Sequence, residues 1–284
     1  MNRDNASHSR AAAPQDLLTV AAIALMVYAL SSVIHEGLGH GGACIAFGGV
    51  PRLLSSMEFR CDLDGLAPAA GRIVAAAGAI VQIVLGLAVY KTYQVLVTRP
   101  FSPASSIWRF GLWLLAAVNL MQGTGYFLFS GVGGIGDWSE VIAGLQPAIA
   151  WRALLAIGGF ALYWFTTLRL FEALSPFLGA LSPERYRRAI PLAVIPYLAG
   201  AALSLGAGLL NPAGVALIAI SGAAASLGGT SGLAWGPQLL RGRAAAAGTP
   251  VAPVSISRSW PVIALGVLVA TVFASILGPG VHFQ

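Results

Sequence analysis

Charge is scarce in this chain. Asp, Glu, Lys and Arg together make up 9% of 284 residues, where a soluble globular domain carries about a quarter. A soluble domain and a solvated disordered chain are both excluded on that count. Acids are scarcer than bases, 10 against 16, which leaves a formal charge of +6. No basic run is interleaved with aromatics, however, so no nucleic-acid partner is expected. Cysteine is limited to Cys44 and Cys61. An oxidising compartment would permit a disulfide between them, and two unpaired apolar thiols are an equally open reading. No internal repeat of fixed period is present.

What is abundant is apolar sequence, 57% of the chain. Leu17 to Ile34, Ile73 to Tyr90, Phe110 to Gly136 and Ala153 to Leu168 contain no charged residue. Each approaches or exceeds the roughly 20 residues needed to cross a hydrocarbon core. Ala189 to Leu240 is a further uncharged run, too long for one crossing, and Asn211-Pro212-Ala213-Gly214 divides it as a turn. Pro261 to Leu277 adds the last span. The expectation is an all-α, polytopic transmembrane helix bundle of about seven spans in contact with a lipid bilayer. Residues 1–16 form an N-terminal tail, 17–145 a core, 146–243 additional helices, 244–258 a linker, and 259–284 the final span and tail.

With the N-terminus inside, twelve Lys and Arg residues fall on the cytoplasmic side and only Arg52, Arg60, Arg72 and Arg152 on the other. That bias fits the rule that short cytoplasmic loops retain Lys and Arg. The expected location is a bacterial inner membrane, with the N-terminus cytoplasmic. The first run is longer than the apolar core of a signal peptide and lacks a small-x-small cleavage site, so it is read as a span. Gly200, Ser204 and Gly208 fall four apart, a spacing that lets membrane helices approach closely.

Ionisable chemistry is concentrated at the end of the first span, in Ser31-Ser32-Val33-Ile34-His35-Glu36-Gly37-Leu38-Gly39-His40. Ionisable groups at membrane depth are costly unless paired or metal-bound, and they mark functional sites by default. The zinc-hydrolase pattern HExxH sets its histidines four apart so that both face one metal. Here the spacing is five, and on an ideal helix the two imidazoles would diverge by about 140°. One extra residue absorbed as a π-bulge would restore a common face, and Gly37 and Gly39 tolerate such a backbone. A continuous helix would instead pair Glu36 with His40.

A catalytic zinc takes three protein ligands and leaves a position for water. The third candidate is Asp137, in Gly131-Val132-Gly133-Gly134-Ile135-Gly136-Asp137-Trp138 after the third run. The alternatives for it are a solvated loop residue or a helix N-cap. Spans one and three run in the same direction, so His35, His40 and Asp137 share the outer end of the bundle. Eighteen residues separate Leu17 from His35, about 27 Å of helix in a core about 30 Å thick.

Over residues 17–145 the chain resembles the site-two-protease family of intramembrane zinc metallopeptidases. The His-Glu helix carries the likeness, together with Ala77-Gly78-Ala79-Ile80-Val81-Gln82, which is similar to that family's Gly-Pro-x-x-Asn segment, and Asn119 followed by Asp137. The resemblance implies that His35, His40 and Asp137 bind Zn2+, that Glu36 is the general base, and that Asn119 or Gln82 holds substrate backbone. It implies hydrolysis of peptide bonds in a transmembrane or membrane-proximal protein substrate that unwinds locally to reach the metal. Asn119, Gln122, Thr124 and Tyr126 line a water path or act as polar glue between helices. The competing readings are an ion or proton transporter built on the same His/Glu/Asp cluster, and a catalytically inactive scaffold. Oligomeric state is not written in the sequence.

Overall fold

The computed structural model describes residues 14–180, 182–212, 224, 226–243, 245 and 252–284. Helix starts are set by local sequence. Asp16 caps α1 (Leu17–Val33) by accepting from the Thr19 amide at 2.9 Å and from its hydroxyl at 2.8 Å. That helix continues through a π-helical stretch, Ile34–Gly41, into α2 (Gly42–Ala46). Pro68 opens α3 (Pro68–Leu96), where a missing N–H costs nothing. Pro103 does the same for α4 (Pro103–Gly133), which Ser102 caps in a reciprocal box with Ser105. The short α5 (Asp137–Ile142) precedes α6 (Ala148–Ala173), α7 (Ser175–Leu178) and α8 (Ser182–Gly208). The chain ends with α9 (Gly232–Trp235) and α10 (Trp260–Val272), the latter extended by a π-helical turn to Leu277.

Six helices among the described residues are long and apolar enough to cross a membrane: Leu17–Ala46, Pro68–Leu96, Pro103–Gly133, Ala148–Ala173, Glu184–Gly208 and Trp260–Leu277. The protein is an all-α polytopic bundle of integral-membrane type. The first helix lies at its centre, packed against α4, α8 and α10. Its apolar core runs through Val27, Trp113, Met121 and Phe171, and the Trp113 indole donates to the Leu170 carbonyl at 2.8 Å.

The ends of these helices fix the path of the chain. Asp16 pairs with Arg258 at 2.9 Å, and the Asp16 amide donates to the Ile256 carbonyl, so α1 and α10 start at the same end. Arg188 donates to the Val254 carbonyl at that end, while Gly278 meets the Ala207 carbonyl at the other. The chain therefore crosses back between Gly208 and Val254. Part of that passage, the second half of the divided uncharged run, lies outside the described residues. Its described part descends from Ser226 through Thr230, which accepts from the Tyr28 hydroxyl, to Gln238 and Arg241, which donate to Tyr186.

Sequence periodicity contains no strand, and the structure adds a small sheet. Strands β1 (Val50–Leu54) and β2 (Phe59–Asp62) form an antiparallel hairpin with a bulge between Pro51 and Leu53. Strand β3 (Val281–His282) pairs with the other edge of β1, Leu53 opposite His282. The strands are short, proline sits at the bulge, and one pairing joins residues more than two hundred apart, so no local alternation marks them. A disulfide between Cys44 and Cys61 ties α2 to β2. This closes the choice between bridged and unpaired thiols in favour of the bridge.

The small-residue stripe of α8 has a packing role at Gly200, where an added Cβ would lie 2.3 Å from carbons of the Tyr28 ring. Gly200→Val is expected to destabilise the bundle by about 1–3 kcal/mol, the usual cost of overpacking a tight contact. A thermal-unfolding scan in detergent that matches wild type would refute the tight α1–α8 contact.

Candidate metal centre

The site starts from a backbone irregularity. Between Ile34 and Gly41 the helix widens from α to π geometry. An α-turn would swing His40 away from His35, whereas one more residue per turn returns it to the same face. The two imidazoles meet edge to face, with Nε2 atoms 3.1 Å apart. Both Nδ1 atoms are spoken for. His35 Nδ1 lies 3.0 Å from Gln82 Oε1, and His40 Nδ1 lies 2.7 Å from the Val74 carbonyl oxygen. Each partner offers only an acceptor, so each Nδ1 carries the proton and each Nε2 presents a lone pair to the shared space.

Asp137 closes the third side. Helix α4 ends at Gly134, in the left-handed region at φ 68°, and its last carbonyls are capped by Arg152, which donates to Gly131 at 3.1 Å and Val132 at 2.7 Å. Gly136 follows at φ 84° and ψ −179°, a conformation open in practice only to glycine. This double reversal turns the first residue of α5 back onto the bundle. Asp137 Oδ2 lies 3.2 Å from His35 Nε2 and 3.6 Å from His40 Nε2. Burial pushes the Asp137 carboxyl up, but positive charge on His35 and His40, when these are protonated, outweighs it and holds the group below its ordinary range. The residue is thus neither a solvated loop residue nor an N-cap.

Three lone-pair donors converge on one point. Tetrahedral coordination with ligand bonds of roughly 2.0–2.1 Å sets ligand atoms about 3.3–3.5 Å apart, close to the separations found here. Asp137 Oδ2 is buried without a hydrogen-bond partner, the condition of an acceptor that a cation would satisfy. Glu36 stands beside them, with a ligand atom each from His35, Glu36 and His40 within 4.8 Å of one another. The buried His35, Glu36 and His40 can therefore hold a metal ion, and Asp137 is placed to join them.

Glycine makes room for this convergence. Where α3 crosses the π-helical stretch, an added Cβ on Gly39 would come 2.5 Å from the Gly78 Cα. A Cβ on Gly78 would lie 2.6 Å from His40 Nε2 and 2.8 Å from His35 Nε2, filling the space that both nitrogens face. Tyr126 of α4 stacks on the opposite face of His35, its ring 4.9 Å away and nearly parallel.

Gln82 and Asn119, expected to hold substrate backbone, are placed elsewhere. Gln82 is 1% exposed and spends its amide on Ser31 Oγ and Gln122 Oε1 while its oxygen faces His35. Asn119 is fully buried, donates to the Leu115 carbonyl and accepts from Ser31. Gln122 and Ser31 complete this network, and Thr124 bonds within its own helix to Leu120. These groups orient His35 from behind. Ser31 went unassigned in the sequence because its partners lie 51 and 88 residues away.

A cavity of about 540 Å³ opens over the site, between the hairpin, the start of α3 and the α4–α5 turn. His35, Glu36, His40 and Asp137 form its floor, and Phe59 of β2 and Arg72 of α3 stand in its walls. Comparison with protein-family models, curated proteins and solved structures returned no match for this chain.

Gly78→Ala is expected to lower metal affinity at least tenfold, while Gly42→Ala, whose Cβ meets nothing within 4 Å, leaves it unchanged. Gln82→Leu, which removes the acceptor behind His35, should cost about 10- to 100-fold. Competition titration of purified protein against a chelating dye measures all three, and equal affinities would show that ions bind elsewhere.

Proposed function

We propose that this protein is a membrane-embedded zinc peptidase that cleaves peptide bonds in transmembrane or membrane-proximal segments of other proteins. One observation carries the reading: two imidazole nitrogens and a carboxylate oxygen converge on a shared point beside a buried glutamate, on the floor of a cavity that opens at one end of an apolar bundle. Two nitrogens and one carboxylate oxygen suit zinc better than calcium or magnesium, which prefer all-oxygen shells. The resemblance to site-two proteases supports the same assignment, since His35, Glu36, His40 and Asp137 fall on the residues that carry it.

When bound, zinc supplies a Lewis acid that polarises a carbonyl and lowers the pKa of water toward about 7. The chain's own groups do the rest. Glu36 accepts the proton of the attacking water on its carboxylate and returns it to the departing amide nitrogen. Gln82 and the Val74 carbonyl fix the tautomers of His35 and His40. A cavity of about 540 Å³ falls within the range of roughly 300–1,000 Å³ typical of ligand pockets. A helix keeps its backbone carbonyls hydrogen-bonded within itself. A substrate helix must therefore open before its carbonyl reaches the floor.

The orientation that supports this reading puts the N-terminus in the cytoplasm and the cavity at the outer face. The excess of Lys and Arg on the opposite side favours it. The Cys44–Cys61 disulfide beside the cavity is at home in an oxidising compartment such as the space outside a bacterial inner membrane. Strand β3 lies in the sheet at the cavity, so the C-terminus shares that side. A C-terminal fusion to a reporter enzyme active only outside the cytoplasm should be active, and an inactive reporter on a folded fusion would reverse the orientation.

Glu36→Gln should lower cleavage of a helix-destabilised transmembrane substrate by at least about 100-fold while zinc stays bound near one equivalent. Reconstituted protein with elemental analysis reads both quantities. Zinc-loaded wild type that cleaves no membrane substrate would overturn the peptidase and leave a metal-binding scaffold.

A further inference from the structure

A second, much smaller cavity lies behind the site. Its volume is about 40 Å³, and it shares with the large cavity a partition made of His35, Glu36, Met57 and Tyr126. The partition apart, its lining is polar: Ser32, Ser56, Gln82, Gln122, Ser204 and Ser226 all contribute, as does Tyr28. Such a lining inside an apolar bundle is costly unless its groups are hydrogen-bonded. Most have partners. Gln82 is saturated by His35, Ser31 and Gln122, and Ser32 Oγ donates to the Ser56 carbonyl at 2.8 Å.

Two groups on this chamber are left over. Ser56 Oγ is shielded from solvent and has no hydrogen-bond partner among the described residues. Its backbone cannot turn to find one, because its amide donates to the Leu277 carbonyl at 2.7 Å and its own carbonyl accepts from Ser32. Glu36 is 7% exposed and receives no hydrogen bond from any described residue. A carboxylate has about four acceptor sites, a hydroxyl one donor and two acceptor sites. A water molecule needs about 10–15 Å³ and two to four polar partners, and the chamber meets both requirements.

We propose that this chamber is a binding site for one or two structural waters, and that through them Ser56 positions Glu36. The proposal rests on the peptidase reading only for its functional consequence; the water site itself stands on geometry alone. Glu36 lines both cavities, so water held by Ser56 can donate to one of its oxygens and leave the other for the large cavity. This water belongs to the small chamber, whereas the water that attacks substrate belongs to the large cavity. Ser56 sits in the loop that joins β1 to β2, and that hairpin is held by the Cys44–Cys61 bridge and by β3. The hairpin over the substrate cavity thereby also reaches the underside of the general base. Ser56 is a positioning residue, acting through solvent on Glu36.

Two measurements test it. A high-resolution crystal structure of the full-length, metal-loaded protein should show solvent density within hydrogen-bond distance of both Ser56 Oγ and a Glu36 oxygen. A dry chamber, or solvent bonded to neither, overturns the proposal whether or not the protein is a peptidase. Kinetically, Ser56→Ala should lower kcat about tenfold, the lower end of the usual cost of losing an outer-shell partner, with KM and bound zinc unchanged, and Ser56→Thr should restore most of the loss. A Ser56→Ala variant with wild-type kcat overturns the positioning role, and so does one that loses zinc in parallel with activity. A wild type that cleaves nothing defeats the peptidase reading and leaves the density test standing.

Discussion

Everything at the candidate metal centre depends on one surplus residue in a helical turn. The π-helical stretch Ile34–Gly41 places His35 and His40, five apart, on a common face, and it does so inside a transmembrane helix that is α-helical on either side. A widened turn has weaker backbone packing than an α-turn and persists only where tertiary contacts hold it. Here the contacts are specific: Gln82 and the Val74 carbonyl grip the imidazoles, and Gly78 receives Gly39 at backbone distance. Helix α3 therefore works as a template for the irregularity in α1.

Much of this was legible in the chain. Uncharged runs marked the spans because a bilayer penalises charge so heavily that its absence is a strong signal. His35, Glu36 and His40 stood out for the same reason, and the five-residue spacing itself pointed to a π-turn once a shared ion was supposed. Asp137 stood out because it follows the third uncharged run, which ends on the same side of the bundle as the first. The less legible parts are those in which the partner is remote. Ser31, Gln82, Asn119 and Gln122 form one network across three helices, and no sequence spacing records which acceptor faces which donor. The resemblance to site-two proteases implies a substrate-holding role for Gln82 or Asn119, yet the interior uses up their hydrogen-bonding capacity.

The sheet escaped for a different reason. Strand signals are strongest when several residues alternate between a wet and a dry face. β1 and β2 are five and four residues long, and β3 is two. They are held by long-range pairing and by the Cys44–Cys61 bridge rather than by pattern. Position matters more than size here, because the hairpin supplies a wall of the large cavity and, through Ser56 and Met57, part of the lining of the small one. A short excursion beyond the helix ends thus folds back over the ionisable cluster that the bundle itself carries.

The contact between Gly39 and Gly78 has a mechanical corollary. Membranes differ in thickness, and helices answer by tilting. Where two rods tilt about a shared point, displacement grows with distance from that point and vanishes at it. These two helices touch backbone to backbone at the level of the imidazoles, and rocking about that contact would move their far ends most and the candidate ligand nitrogens least. A site built at such a contact would be the part of the bundle least disturbed by the thickness of the lipid around it.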